Sequence, residues 1–487
     1  MRKKSFKRWA AIVMAAAMVV SGVQPLGIVK ESKAATKTLT DSEVTTLYNS
    51  TKATARKRVS VHDPSIVVAA DSGSEGTSSH KYYIFGSHRS FAWSDDLKNW
   101  TYFYNNISKE DSEEYKTIFD KEFKWSALGD ANYDPSGNLW APDVIWNKDL
   151  KKWCMYMSIN GNSWNSSICM LTADSLDGDW EYQGTVVYSG FTAAGTLRDY
   201  TQTDFADVTG ESSLPSRYTQ SSYECKYEYD NKTNICEATT WNKSYGAHAI
   251  DPCVYYDQTG KLWMTYGSWS GGIYTFQLKT GTGSGAGFRD TTAMEDYTDA
   301  YMGIHLAGGS QKSGEASYVQ YIDGKYYLFV TYGGLAQTGG YNMRVFSSDS
   351  PKGPFTDLQG TEATNIDNGA GNTDGTVGNR LMTYYKWSFM DYGFCAEGHN
   401  SAFVDSEGKA FVIYHTRFDT RGETHEVRVH QLFKAKNGGL VTAPFEYQGE
   451  TLSATSYAAD DVVGSYNVIT MTGSHYNKSP ATCESEK

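Results

Sequence analysis

The chain has 487 residues and a formal net charge of −12, with 36 Tyr, 20 Phe and 13 Trp against only 10 Pro. So many aromatic side chains exclude a disordered chain, and the length is enough to bury a large core. The 46 Gly without accompanying Pro exclude collagen-like and proline-rich classes. The acidic balance argues against nucleic acid, whose binding rests on Lys and Arg neutralising phosphates. The Tyr and Trp excess fits either β-strand propensity or surfaces on which sugars stack.

The N-terminus reads as an export signal. Arg2, Lys3, Lys4, Lys7 and Arg8 precede the apolar run Trp9 to Val20, which is too short to span a bilayer comfortably. Ser32-Lys33-Ala34 supplies a small-x-small cleavage site, so residues 1–34 are assigned to a signal peptide, with an uncleaved anchor as the alternative. The mature protein is expected outside the cell. Seven cysteines follow no metal-finger spacing. Cys225 and Cys236 flank a short polar loop and are candidates for a local disulfide. Cys154 and Cys169, on neighbouring predicted strands, form a second candidate pair.

From residue 58 onward the chain reads as short strands and tight turns, and five segments share one plan: a polar-led strand, a turn, then an aromatic-rich strand. The first begins at Asp63-Pro64-Ser65 and continues through Tyr82 to Gly86. The second begins at Trp140-Ala141-Pro142-Asp143 and continues through Trp153 to Tyr156. Asp251-Pro252-Cys253 leads to Leu262–Tyr266, Glu315-Ala316-Ser317 to Tyr326–Val330, and His399-Asn400-Ser401 to Phe411–Tyr414. Third strands are expected at Ser166–Ala173, Gly272–Leu278, Tyr341–Ser347 and Glu426–Phe433. Fourth-strand signals stand at Asp177–Trp180 and Lys352–Phe355. Radial repetition of four-stranded sheets marks a β-propeller, so the prediction is an all-β, five-bladed propeller over 35–440. A double sandwich or a β-helix explains the strands but not the polar openings. Three insertions interrupt the pattern: Trp100–Asp130, Gly190–Ala247 and Thr361–Gly398. Residues 441–487 read as the start of a C-terminal β-barrel-like module, with a strand-like run at Asp461–Ile469. These roughly 40 residues are too few for an independent core.

A propeller brings the starts of its inner strands together at one end of a central channel. Asp63, Asp143, Asp251, Glu315 and His399, far apart in sequence, are then expected to converge. Two carboxylates across a groove are the minimal kit for glycoside hydrolysis, one protonated to release the leaving oxygen and one ionised to activate water or attack. A third carboxylate can keep the acid protonated by like-charge repulsion.

At these residues the chain resembles glycoside hydrolase family 43, and within it the endo-acting arabinanases, over about residues 58 to 435. The resemblance rests on six motifs in order: His62-Asp63-Pro64-Ser65, Trp140–Val144, His248-Ala249-Ile250-Asp251-Pro252, Gly267–Tyr274, Gly314-Glu315-Ala316 and Gly398-His399-Asn400-Ser401. It implies a secreted five-bladed propeller that cleaves internal α-1,5-linked arabinofuranosidic bonds with inversion. Asp63 would be the general base, Glu315 the general acid, and Asp251 the residue that raises the acid's pKa. His62, Trp140, Gly161, His248, Ser268 and Trp269 would line the sugar groove. His399 would hold one calcium ion on the propeller axis, with a packed histidine as the alternative. The implied partner is plant cell-wall arabinan or its oligosaccharides. No nucleic acid, no membrane after signal cleavage and a monomer are expected. The Ala316-Ser317-Tyr318 sequence departs from the family, which carries Pro two residues after the acid. An exo-acting α-L-arabinofuranosidase, a β-xylosidase and a non-catalytic sugar-binding propeller remain alternatives. The inserts are expected to wall the groove along its sides with at most a partial block at one end, for which Tyr384, Tyr385, Trp387 and Phe389 are the only dense aromatic cluster of the Thr361–Gly398 insert.

Overall fold

The computed structural model describes residues 56–452, apart from 70–77, 111, 131–132, 162–163, 229–232, 367–376, 383, 387–389 and 450, together with 42–43 and 45–46. The signal segment 1–34, Cys483 and the run Asp461–Ile469 lie outside the described residues.

Five four-stranded antiparallel sheets follow one another along the chain. Blade 1 comprises β1 (Ser65–Val68), β2 (Tyr82–Gly86), β3 (Ser90–Ser94) and β4 (Thr101–Phe103). Blade 2 comprises β5 (Leu139–Asn147), β6 (Lys152–Ile159), β7 (Ser167–Ala173) and β8 (Glu181–Tyr188). A separate two-stranded hairpin, β9 (Thr219–Glu228) and β10 (Thr233–Trp241), precedes blade 3. That blade contains β11 (Cys253–Tyr256), β12 (Leu262–Ser268), β13 (Gly272–Leu278) and β14 (Ile304–Ala307). Blade 4 contains β15 (Glu315–Ile322), β16 (Lys325–Tyr332), β17 (Asn342–Ser348) and β18 (Asn379–Met382). Blade 5 contains β19 (Phe394–Val404), β20 (Ala410–Phe418), β21 (His425–Lys434) and β22 (Leu440–Thr442). The first strands of consecutive blades are neighbours, and β19 lies beside β1, so the sheets close into a ring around a channel. This is the predicted five-bladed propeller.

The second and third strands of the blades are buried along almost their whole length, which is why they read as runs of Tyr, Phe, Trp, Val and Ile with little polar alternation. Their side chains fill the wedges between blades. Aromatic edge-to-face pairs such as Phe85 with Trp180 (5.9 Å) join blade 1 to blade 2. Ring closure is reinforced near the start of the described chain, where Trp100 N–H donates to Lys57 O and Val427 N–H donates to Val59 O. Glu446, just after β22, is gripped by both arms of Arg58 and lies 3.1 Å from Arg56. Burial alone would push its carboxyl up, but Arg428, Arg58 and Arg56 hold it at about 2.

The third strands agree with the sequence reading to within one residue at each end. The fourth do so only in part. Trp180 leads directly into β8, but Lys352–Phe355 does not begin the fourth strand of blade 4. Pro354 has no N–H for a ladder, Thr356 makes a single bridge to Ser347, and the strand is β18 instead. The Trp100–Asp130 insertion holds β4 and two short helices, α1 (Glu113–Ile118) and α2 (Asp120–Ser126). Ser112 caps α1 by accepting from Tyr115 N–H, and Tyr115, Phe119 and Trp125 are buried against the blades. Cys154 and Cys169 do not pair. The β6–β7 register sets Cys154 opposite Thr172 and Cys169 opposite Met157, so the two thiols enter cores on opposite faces of the sheet. Cys225 and Cys236 are register partners across the β9–β10 hairpin.

Candidate active site

At the head of each inner strand the backbone makes one left-handed step. The residues are Asp63 (φ 53°), Ala141 (44°), Asp251 (54°), Ala316 (60°) and His399 (46°). These five are the structurally equivalent positions, and the repeated step turns the chain sharply into the channel. Non-glycine residues pay for this conformation, which is found where function over-determines the backbone. Asp63, Asp251 and His399 were expected at equivalent openings and are. Asp143 is two residues further into the channel than its equivalent, Ala141, and Glu315 is one residue earlier than Ala316. The small offsets give the two carboxylates different surroundings.

Asp63 is buried among polar neighbours. His62 Nδ1 lies 2.7 Å and His399 Nδ1 2.8 Å from its Oδ1, and the Ser87 hydroxyl donates to Oδ2. Ser87 also accepts from Ala141 N–H at 2.8 Å, which ties the blade 2 opening to this carboxylate. Burial would raise the Asp63 pKa, but His399 and then His62 hold it well below the usual carboxylate range. Asp63 is therefore an anion at neutral pH.

Glu315 is shifted in the opposite direction. Trp269 Nε1–H donates to its Oε2 at 2.9 Å and Tyr341 O–H to its Oε1 at 2.6 Å. Burial raises its pKa, Tyr341 and His399 work against that rise, and Asp63 adds to it. Asp251 accepts from Ala316 N–H at 3.0 Å, and its own N–H donates to the Ser158 hydroxyl at 3.1 Å. Burial pushes Asp251 up to about 7, opposed by His399 and reinforced by Glu315 and Asp63. The repulsion between Asp251 and Glu315 is mutual, so the pair retains a proton near neutrality.

His399 sits between these acids. Burial would lower it, but Asp63, then Asp251 and Glu315, raise it to about 9. Below the strand heads lies a small axial cavity of about 20 Å³, bordered by Asp63, Asp143, Asp251, His399 and Asn400. Asn400 is 2% exposed, and neither polar atom of its amide has a partner. Asp143 accepts from the Ser65 hydroxyl and, at 2.6 Å, from Val254 N–H, and burial raises it to about 6. An unpartnered amide, carboxylates and one imidazole fit a small hydrated cation, which prefers oxygen donors. His62, Asp63 and His415 form a second group whose ligand atoms fall within 4.8 Å of one another. His62 binds the carboxylate, and Asp63 N–H donates to His415 Nδ1 at 3.3 Å.

The remaining sequence candidates flank this centre. Trp140, half-buried, directly precedes Ala141, and its indole nitrogen is buried without a partner. The His248 Nε2 and the Ser166 hydroxyl are 2.8 Å apart, and burial lowers His248 to about 3, so it is neutral. Ser166 in turn accepts from Gly161 N–H at 2.9 Å. Gly161 itself packs against Asn165, whose carbonyl oxygen would be 2.0 Å from any Cβ placed there. Its place is thus in the loop that supports His248. Ser268 ends β12 beside Trp269, and its carbonyl accepts from the Ser313 hydroxyl. Tyr384 and Tyr385 are 6% and 4% exposed, Tyr384 hydroxyl bridging Gly340 N–H and Gln337 O, and Tyr385 packed in the blade 4–5 core. They are buried because each has core or backbone partners, and they do not wall the groove; Trp387 and Phe389 lie outside the described residues. Ser87, Tyr341, Asn400 and His415 were not singled out from sequence. Ser87 and Tyr341 lie at strand ends, Asn400 follows His399, and His415 lies inside β20, where none of them carries a distinguishing pattern.

Buried carboxylates shifted in opposite directions at the inner-strand heads of a propeller fit the hydrolysis of glycosidic bonds. The sequence profile of glycosyl hydrolases family 43 matches residues 228–438. The chain is 33% identical over 434 residues to the extracellular endo-α-(1→5)-L-arabinanase 2 of Bacillus subtilis, covering 85% of this chain and 76% of that protein. It is also 33% identical to the extracellular endo-α-(1→5)-L-arabinanase of Thermotoga petrophila, over 84% of this chain and 75% of that one. Among solved structures, the family 43 YxiA protein of Bacillus licheniformis superposes with a TM-score of 0.62 at 31% identity, covering 82% of this chain and 78% of that chain. The chain belongs to glycoside hydrolase family 43.

Proposed function

We propose that the protein is a secreted endo-1,5-α-L-arabinanase that cleaves arabinan with inversion. The observation that carries the chemistry is the opposite shift of two buried carboxylates, Asp63 held well below the usual range and Glu315 pushed up. Asp63 takes a proton from water as the water oxygen attacks the anomeric carbon. The bond to the leaving oxygen breaks, its electron pair stays on that oxygen, and Glu315 supplies the proton. One proton has then moved from Glu315 to Asp63, and exchange with solvent restores both. Asp251, in the pair with Glu315, disfavours a second negative charge and so keeps the acid loaded. Trp269 and Tyr341 fix the acid's orientation, and His62, His399 and Ser87 fix the base. Trp140, His248, Ser268 and Trp269 line the groove, with Gly161 supporting His248.

Endo action is supported by the relatives' names. The exo-acting α-(1→5)-L-arabinofuranosidase of Cellvibrio japonicus shares only 24% identity, over 74% of this chain. Of the aromatics in the Thr361–Gly398 insertion, Tyr384 and Tyr385 are spent in the core, whereas Tyr392 is exposed. Linear arabinan should yield a spread of oligosaccharides with rapid loss of viscosity. Arabinose alone from the first minutes, with viscosity unchanged, would replace this reading by the exo one.

His399, with Asn400 at the same cavity, would hold one calcium ion through water. Such an ion would supply positive charge beneath the carboxylates. Since the His399 proton already supplies charge there, cation binding and imidazole protonation compete. A chelator should lower the melting temperature, calcium should restore it, and His399→Ala should abolish the sensitivity. A wild-type protein indifferent to chelator at every pH from 6 to 9 would count against the ion.

A further inference from the structure

The base and the acid stand on blades that are not neighbours in the ring. Asp63 precedes β1 in blade 1, Glu315 opens β15 in blade 4, and blade 5 closes the ring between them. No strand ladder sets the distance from one to the other. A column of three rings does connect them. Tyr341, which donates to Glu315 Oε1, lies nearly parallel to the imidazole of His415, with centroids 5.9 Å apart and planes at 28°. His415 in turn stacks on His62 at 3.9 Å and 27°. His62 ends the column on Asp63 Oδ1, and His415 Nδ1 accepts from the Asp63 N–H. Each ring comes from a different blade in order: 4, 5 and 1.

The surroundings are built around this column. Tyr341 is 1% exposed and His415 fully buried. His425 stands edge-on to both His62 (5.1 Å) and His415 (5.9 Å). Gly398, the strand partner of His415, leaves the space that the Tyr341 ring fills; a Cβ there would be 2.4 Å from Tyr341 Cδ1 and Cε1. His415 has to be neutral, because its Nδ1 is an acceptor and both burial and His62 oppose a charge. A neutral buried imidazole whose Nε2 has no partner contributes shape rather than charge.

We propose that the Tyr341–His415–His62 column is a strut that sets the separation of base and acid, with Tyr341 and His415 as positioning residues. The proposal rests on the roles given above to Asp63 and Glu315. Stacked rings in a close-packed interior transmit displacement rather than absorb it. An inverting enzyme needs a fixed water-sized gap between its carboxyls, and a misplacement of about 1 Å costs roughly 10²-fold in rate.

Two replacements separate the ring from its hydrogen bond. His415→Phe keeps the ring and loses the acceptor; His415→Gln keeps an acceptor and loses the ring. On linear arabinan, His415→Phe should stay within about tenfold of wild-type kcat. His415→Gln should lose roughly 10²-fold in kcat with KM within about threefold, the mark of a transition-state rather than a binding defect. Tyr341→Phe against Tyr341→Leu repeats the comparison at the other end, with the ring-retaining variant again the faster. Melting temperatures identify any variant that fails to fold, in which case the other pair decides. Equal losses in the ring-retaining and ring-less variants, the reverse order, or wild-type rates in all four would overturn the strut. Asp63→Asn and Glu315→Gln are run alongside. If they remain active, the assigned roles fail; if they are inactive while the ring-less variants work normally, the strut alone fails.

Discussion

Glu315→Gln should lower arabinan hydrolysis by about 10²–10⁴-fold, the usual worth of a general acid. Much of that loss should be recovered on an aryl arabinofuranoside whose phenolate departs without a proton. Gln retains acceptor and donor positions for Trp269 and Tyr341, so the fold around the acid is conserved while the transferable proton is gone. Asp63→Asn should be inactive on both substrates, because water then lacks its base whatever the leaving group. In the wild type, His399 and His62 hold Asp63 ionised well below the usual range, so the acidic limb of kcat/KM should lie at low pH. The two variants are told apart by the leaving-group dependence, read as the ratio of aryl substrate to arabinan turnover. Equal residual activity on the aryl substrate would reverse or void the assignment.

The convergence of these positions was legible in sequence because a propeller repeats, while the roles of base and acid came from the family resemblance. Asp63, Asp251 and His399 occupy the same left-handed step at the head of three blades, and a polar residue before a strand is visible in a one-dimensional pattern. The register was less legible. Blade 2 puts Ala141 and blade 4 puts Ala316 at that step, so Asp143 and Glu315 seemed aligned with positions they do not share. An offset of one or two residues is invisible without the bulges that create it, Trp140 to Asp143 in blade 2 and Glu315 to Tyr318 in blade 4. Tyr341 and His415 were out of reach for a different reason. Their roles arise from contacts between blades 4, 5 and 1, and neither strand periodicity nor turn chemistry encodes which ring lies on which across a wedge. The same limit applied to Cys154 and Cys169, where neighbouring strands suggested a pair and the register put the thiols on opposite faces.

Asp251→Asn tests the remaining carboxylate, and its sign follows from the geometry. Asn can still accept from Ala316 N–H through its amide oxygen, so the local backbone is supported while the charge is removed. Without a neighbouring anion, Glu315 loses its proton more easily, and the alkaline limb of kcat/KM should move to lower pH. Tyr341→Phe should move it the other way, since the Tyr341 hydroxyl favours the ionised acid. Activity at neutral pH should fall by about 10²-fold in Asp251→Asn, the low end of acid–base contributions. Stability should change in the opposite sense. Asp251 is raised to about 7, so the stability it contributes is complete below its unfolded pKa near 4 and is lost as pH rises through 7. Above pH 7 the wild type carries a buried charge among like charges that the variant lacks. The variant should therefore melt higher there, by roughly 1–2 °C for each kcal/mol relieved in a domain of this size. A variant that is both less active and less stable at pH 8 would mean that Asp251 is kept for the fold. A variant less active and more stable would show the charge retained for catalysis at the expense of stability.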